Sequence, residues 1–402
     1  MLTPLASATI TGSPTFYRGC TYEAANEAII VDTGSILRRF SLATYNQTAS
    51  SAISANCAGV ALISGASAVM CHSSGSIVSY YEISTGYVQT LVAPSNSTNG
   101  KNQIIAGDPT TGVAMYVTSL SGNTLVRVSS SFSATNIAVP LYSSGDAGFS
   151  CIINKSSGRW YAGGLSGAIY ELDSSGNILD HFMPSINNQG MAFANTTNGS
   201  NAYISNMAYD NNILAVGYFD GTTLFFDTTT RTEIYQHSAR STSSTNGTLL
   251  TTASGELFGI YHGVSNPGDV VWEADMSLNP MMVYGNIHTG STGTPQDIGV
   301  STTSSRGWWL QPNSSSVATI TFFSVSGVRP TTTRTITVTS GGVDQKARVL
   351  LVDSASAVGR PYLDTYMQSP ATYRVPTGKT IIELVKIGEG ETATWDCSQY
   401  ST

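Results

Sequence analysis

A chain of 402 residues exceeds the usual single-domain size, so it holds either two domains or one large repeat domain with an appendix. Only 11% of its residues are charged while 41% are apolar, so a core can be filled but the surface must be covered by Ser, Thr, Asn and Gly. A net charge of −7 excludes a sequence-independent nucleic-acid binder, and no apolar run reaches the roughly eighteen residues of a membrane-spanning helix.

The opening MLTPLASATITGSP has neither a basic start nor a long apolar centre, so no secretory signal is expected. Within it, Ala8 to Thr11 reads as a strand that pairs with the last repeat and closes a ring. Five scattered cysteines, with no C-x-x-C pair, read as buried free thiols of a chain made in reducing cytoplasm.

From there to about residue 325 one plan recurs, shown most clearly by Ala202 to Gln236. The near-continuous apolar run Ile213 to Tyr218 predicts a strand buried on both faces, and Asp220-Gly221 predicts the hairpin after it. Thr222 to Phe226 is the return strand. Equivalent hairpins carry Gly34, Gly75, Gly122, Gly167, Gly221 and Gly268, spaced by roughly 41 to 54 residues. Glycine suits a tight turn because positive φ costs it nothing. Small residues such as Gly59, Ala61 and Ala106 crowd the first strand of several repeats, as strands converging on an axis require. Gly and Pro interrupt every helical window. The expectation is all-β: a seven-bladed β-propeller over residues 1–328, each blade with four strands.

Residues 329–336 read as a Pro/Thr linker and 337–402 as a small β-sandwich of alternating strands. Val349, Leu351 and Asp353, then Gly359-Arg360-Pro361, then the strand Thr372 to Val375 leading into Pro376-Thr377-Gly378 and Thr380 to Val385, carry a resemblance. This tail resembles the prealbumin-like sandwich found in bacteriophage virion proteins and carboxypeptidase regulatory modules. After the Pro-x-Gly turn it has Lys379-Thr380-Ile381-Ile382, where that family has a Tyr-x-Val strand. The resemblance implies adhesion or scaffold attachment without catalytic residues, and a virion component made in host cytoplasm.

The chemistry-bearing residues point the same way. Five histidines fall in different repeats without metal-ligand spacing and read as surface or turn residues. Asp32, Asp108, Asp173, Asp220, Asp227, Asp269 and Asp275 stand beside turns, where aspartate accepts backbone hydrogen bonds. No nucleophile elbow or arginine cluster is present. No catalytic, cofactor or metal residue is therefore assigned. Tyr80, Tyr81, Trp160, Trp308 and Trp309 are the candidate interaction aromatics, with packing between blades as the plainer reading. The expected function is a non-enzymatic part of a phage particle (tail, fibre or capsid decoration) in an oligomeric assembly with other virion proteins. The alternatives are a receptor-binding protein for a host-surface glycan or protein and, behind it, a propeller glycan hydrolase or lyase.

Overall fold

The computed structural model describes residues 2–11, 17–32, 34–53, 57–72, 74–97, 103–118, 124–140, 148–164, 167–182, 204–218, 222–230, 232–238, 249–253, 256–261, 270–275, 282–288, 296–314, 317–325, 334–338, 346–353, 361–368, 371–375, 379–387 and 393–396. Nearly all of these lie in strands. The single helical element among them is the 3-10 turn Glu23–Ala25.

The chain opens with β1 (Leu2–Thr11), which belongs to the last repeat. Next come a first sheet of β2 (Tyr17–Tyr22), β3 (Glu27–Asp32), β4 (Ile36–Ser41) and β5 (Gln47–Ala52), and a second of β6 (Cys57–Leu62), β7 (Ser67–His72), β8 (Ser74–Glu82) and β9 (Tyr87–Ser97). The third holds β10 (Ile105–Asp108), β11 (Val113–Val117), β12 (Thr124–Val128) and β13 (Ala134–Ala138). The fourth holds β14 (Phe149–Ser156), β15 (Arg159–Gly164), β16 (Ile169–Asp173) and β17 (Ile178–Phe182). The fifth repeat supplies β18 (Ile204–Asp210), β19 (Ile213–Tyr218), β20 (Thr222–Asp227) and β21 (Thr232–Ser238). The sixth supplies β22 (Leu249–Ala253), β23 (Glu256–Tyr261), β24 (Val270–Asp275) and β25 (Met282–His288). The last supplies β26 (Asp297–Ser301), β27 (Arg306–Ser314) and β28 (Val317–Val325), with β1 as its outermost strand.

All pairings among the described residues are antiparallel, and within each repeat consecutive strands pair as a meander. The innermost strands β2, β6, β10, β14, β18, β22 and β26 each touch the next, and β26 touches β2, so the sheets stand around one axis. This is a β-propeller. Six of the sheets are four-stranded, against the seven expected. The four strands of the fifth repeat run on instead into a seven-stranded sheet, through β31 (Pro361–Gln368), β30 (Lys346–Asp353) and β33 (Lys379–Ile387). The junction is a single pairing of His237 with Thr365. β29 (Arg334–Val338) begins inside the expected linker and sits between β32 (Ala371–Val375) and β34 (Ala393–Asp396).

Strand alternation explains the two-faced apolar runs. On β3, Ala28 and Ile30 pack with Trp308, Leu310, Ile320 and Phe322 of the last sheet. The intervening Ile29 and Val31 pack with Val60, Met70 and Tyr81 of the second. Each thin sheet is thus covered by both neighbours. The expected closure by Ala8 to Thr11 extends over the whole of β1, with Leu2 opposite Val325 and Ile10 opposite Ala318.

The hairpin glycines divide. Gly167 has the positive φ that the turn reading requires, +90°. At Gly34 the turn is closed by Asp32, whose Oδ1 accepts from the amides of Gly34 and Ile36, and positive φ falls on Ser35. Gly75 is not in a turn; it lies within β8 opposite Asn96, because that strand starts one residue before it. Gly122, Gly221 and Gly268 lie outside the described residues.

Trp308 is the wedge between the last sheet and the first. A Cβ added at Gly19 or Gly299 would lie 2.6 Å or 2.5 Å from its ring. Its Nε1 donates to Thr21 Oγ1 at 3.1 Å. Gly299→Ala should therefore cost about 1–3 kcal/mol by overpacking, and Trp308→Ala about 3–5 kcal/mol by opening a cavity. Gly65→Ala, where a Cβ meets nothing within 4 Å, should leave denaturant midpoints unchanged. Equal midpoints for all three would contradict the wedge.

Candidate functional site

A cavity of about 370 Å³ runs along the axis, walled by the innermost strands of the first, second, third, fifth, sixth and last repeats. Three charged residues line it among the described residues: Arg18 and Glu23 from the first repeat and Asp297 from the last. The sequence places Arg18 on β2 and Asp297 at the start of β26, and ring closure makes these strands neighbours.

Arg18 is buried, and its Nη1 donates to the Gln296 carbonyl at 3.1 Å. Asp297 is half-buried and accepts from the Gly19 amide at 2.7 Å and from its neighbour Ile298 at 2.9 Å. Burial pushes the Asp297 carboxyl up to about 6, against the pull of Arg18 and of those two amides. Burial also lowers the Arg18 pKa, with Asp297 opposing. Cys20, on the same wall, is pushed up to about 12 by burial and then by Asp297. A thiol held there is no nucleophile at neutral pH.

Glu23 has a different task. Its carboxylate accepts from Ser301 Oγ at 2.8 Å, from the Thr302 and Thr303 amides at 2.8 Å and 3.2 Å, and from the Thr303 hydroxyl. Burial opposes its charge, but these donors outweigh it and hold its pKa below the ordinary value. It is a clamp from the first repeat onto the last. Deeper on the axis, Gln103 copies a strand pairing: its amide donates to the Met207 carbonyl and accepts from the Met207 amide, both at 2.6 Å. Asn206 Oδ1 accepts from the Leu250 amide at 3.1 Å, joining the fifth repeat to the sixth.

The turn aspartates behave as their neighbours imply. Asp108, Asp173 and Asp227 each accept the amide two residues on. At Asp108 burial raises the pKa, yet donors from Thr111, Gly158 and Thr110 bring it below the usual carboxylate value. Asp220 and Asp269 lie outside the described residues, as does the side chain of Asp275. His72 corrects the surface reading of the histidines. It is fully buried, with Nε2 2.9 Å from Ser79 Oγ. Among the described residues no three His, Cys, Asp or Glu side chains are grouped to hold a metal.

The five candidate aromatics are not brought together on a surface. Trp160 is buried between the third and fourth sheets, Trp308 between the last and first, Trp309 between the sixth and last, and Tyr81 between the first and second. None of these four can present a ring to a glycan. Tyr80 is partly buried, with its ring 3.9 Å from that of Phe132. Large aromatics are simply what fills the gap between diverging sheets. Sequence reasoning missed Arg18 and Asp297. The available signal was that Asp297 stands directly before the apolar strand residues Ile298 to Val300, with no turn residue after it.

These features define a β-propeller protein with a sparsely charged axial cavity. No known protein family matches the chain, and no curated protein is detectably similar to it.

Proton linkage at Asp297 sets a measurable slope. A carboxyl raised from about 3.8 to about 6 binds its proton more tightly when folded, so its favourable contribution is full at low pH. That contribution is lost as pH rises through 6. Between pH 4 and 6.5 the wild type should lose about 1–2 kcal/mol relative to Asp297→Asn in denaturant melts, the half-exposed side chain keeping the figure low. Parallel pH profiles for the two proteins would contradict this.

Proposed function

We propose that the chain is a non-enzymatic structural and interaction component of a phage particle. In this reading the four strands β18 to β21 count as a blade, giving a rigid seven-bladed disc, and β29 to β34 form the prealbumin-like sandwich that tethers it. The observation that carries the reading is the composition of the rim. Five of the seven outermost strands, β1, β5, β9, β13 and β25, contain no Asp, Glu, Lys or Arg, while β17 and β21 carry one carboxylate each, Asp180 and Glu233.

Exposed strand edges offer unpaired amides and carbonyls to any other chain, and soluble monomers guard them with charge. An assembly component leaves them open for strand addition. That β21 already takes β31 along its outer edge supports the same use of the other rims. The axial cavity favours this reading over a propeller glycosidase, which needs two converging carboxylates, one held as an acid. Here Glu23 is occupied in clamping the last repeat, leaving Asp297 alone.

Quantitative mass spectrometry of purified particles should find the chain at a fixed copy number, and imaging should place it at symmetry-related positions. A position confined to a distal tip would favour receptor binding. Absence from particles would overturn the proposal. In the purified chain, lysines introduced at the exposed Ser50 and Thr135 should abolish any self-association detected by sedimentation while leaving the melting midpoint within about 0.5 kcal/mol of the wild type.

A further inference from the structure

The axial cavity offers more than a void. At about 370 Å³ it falls at the lower end of the range that takes small organic molecules. One wall carries the Arg18 guanidinium, and the rest offers Thr21, Asn206, Thr251 and Thr252 among apolar side chains. Among its lining residues Pro109 is exposed and Thr252 half-exposed. We propose that this cavity binds a small hydroxylated carboxylic acid, such as a sugar acid, with its carboxylate against Arg18 and with Asp297 taking up one proton as the ligand enters.

Charge balance argues for each part. A guanidinium in a fixed position, always charged, attracts a carboxylate by charge-assisted hydrogen bonding. A phosphate dianion would bring a second negative charge into a cavity with no second lining cation among the described residues, and an uncompensated buried charge is costly. With Asp297 ionised, Arg18 already faces one negative charge and an entering anion is repelled. With Asp297 protonated, Arg18 is relieved of that neighbouring charge, while the Glu23 carboxylate is engaged by Ser301, Thr302 and Thr303. The neutral hydroxyl and amide groups suit the hydroxyls of a sugar acid.

The groups that face Asp297 set no competing titration in the working range. Cys20 on β2 stays protonated, and Arg18 stays charged. Cys71 on β7 acts on Arg18, and burial raises its pKa well above the ordinary value, so it too stays neutral. Glu23, at the far end of β2, is held ionised by Ser301, Thr302 and Thr303. From β22 the cavity receives Leu250, Thr251 and Thr252, and from β27 Trp308, none of which titrates here.

The test is calorimetric titration of the full chain with glucuronate, with glucose and inorganic phosphate as controls, at pH 5 and pH 8. Wild-type protein should bind glucuronate at pH 5 and neither control, with affinity falling about tenfold per pH unit above 6. Repeating the titration at pH 7, where Asp297 is largely ionised before the ligand enters, in buffers of different ionisation enthalpy should show uptake of nearly one proton. Arg18→Gln should abolish binding, and Asp297→Asn should bind equally at both pH values without proton uptake. Each variant is first checked by its melt. Should neither fold, the wild-type proton count and the glucose control still decide. No glucuronate binding at pH 5, binding at pH 7 without proton uptake, or equal binding of glucose would overturn the proposal.

Discussion

Each sheet of the propeller is too thin to hide its own apolar faces, so all of these sheets depend on the ring being closed. Closure has to be made where the last repeat meets the first. There the contacts are unusually varied. β1 completes the last sheet, Trp308 fills the space above Gly19 and Gly299, Asp297 holds the Gly19 amide, and Glu23 clamps the turn after β26. Backbone pairing alone joins strands within a sheet. Between sheets, side chains must supply both packing and hydrogen bonds, and at this seam they do so from each side.

Charge is scarce in this chain, and much of what exists is placed inside. Arg38 is paired with Asp32 and also donates to the Thr11 carbonyl at the end of β1, so a buried ion pair ties the first sheet to the closing strand. Arg39 Nε donates to Glu27 at 2.7 Å, Nη1 donates to the Ile83 carbonyl of the second sheet, and Thr48 donates to the same Glu27 carboxylate. Such pairs fix geometry more than they add stability, since desolvation offsets most of their attraction. Their consequence is seen at the rim. With charges used for registering sheets against one another, the outer strands are left mostly with hydroxyls, amides and apolar side chains, Leu5, Tyr87 and Leu179 among the exposed ones.

Much of the fold was legible because the repeat is periodic. Runs such as Ile213 to Tyr218 are apolar at every position, which antiparallel strands tolerate only when both faces are covered, and that requirement implies stacking around an axis. The extension of the fifth repeat by C-terminal strands was not legible, because His237 and Thr365 meet through backbone groups that any sequence possesses. The site was hidden for a related reason. Arg18 and Asp297 are separated by most of the chain, and nothing local marks either as facing the axis until the ring is closed. The aromatic doublets misled in the opposite direction. Trp308 and Trp309 look like a surface patch in one dimension, yet alternation sends them into two different seams.

Amide hydrogen exchange tests the dependence on ring closure most directly. If β1 locks the ring, amides of Ile10 and Ala8 on β1, of Ile320 beside it and of Leu310 one strand further in, should exchange as slowly as those of the first and third sheets, through one global opening. Rapid exchange along β1 while the remaining sheets stay protected would contradict the account, because the ring would then persist without its lock.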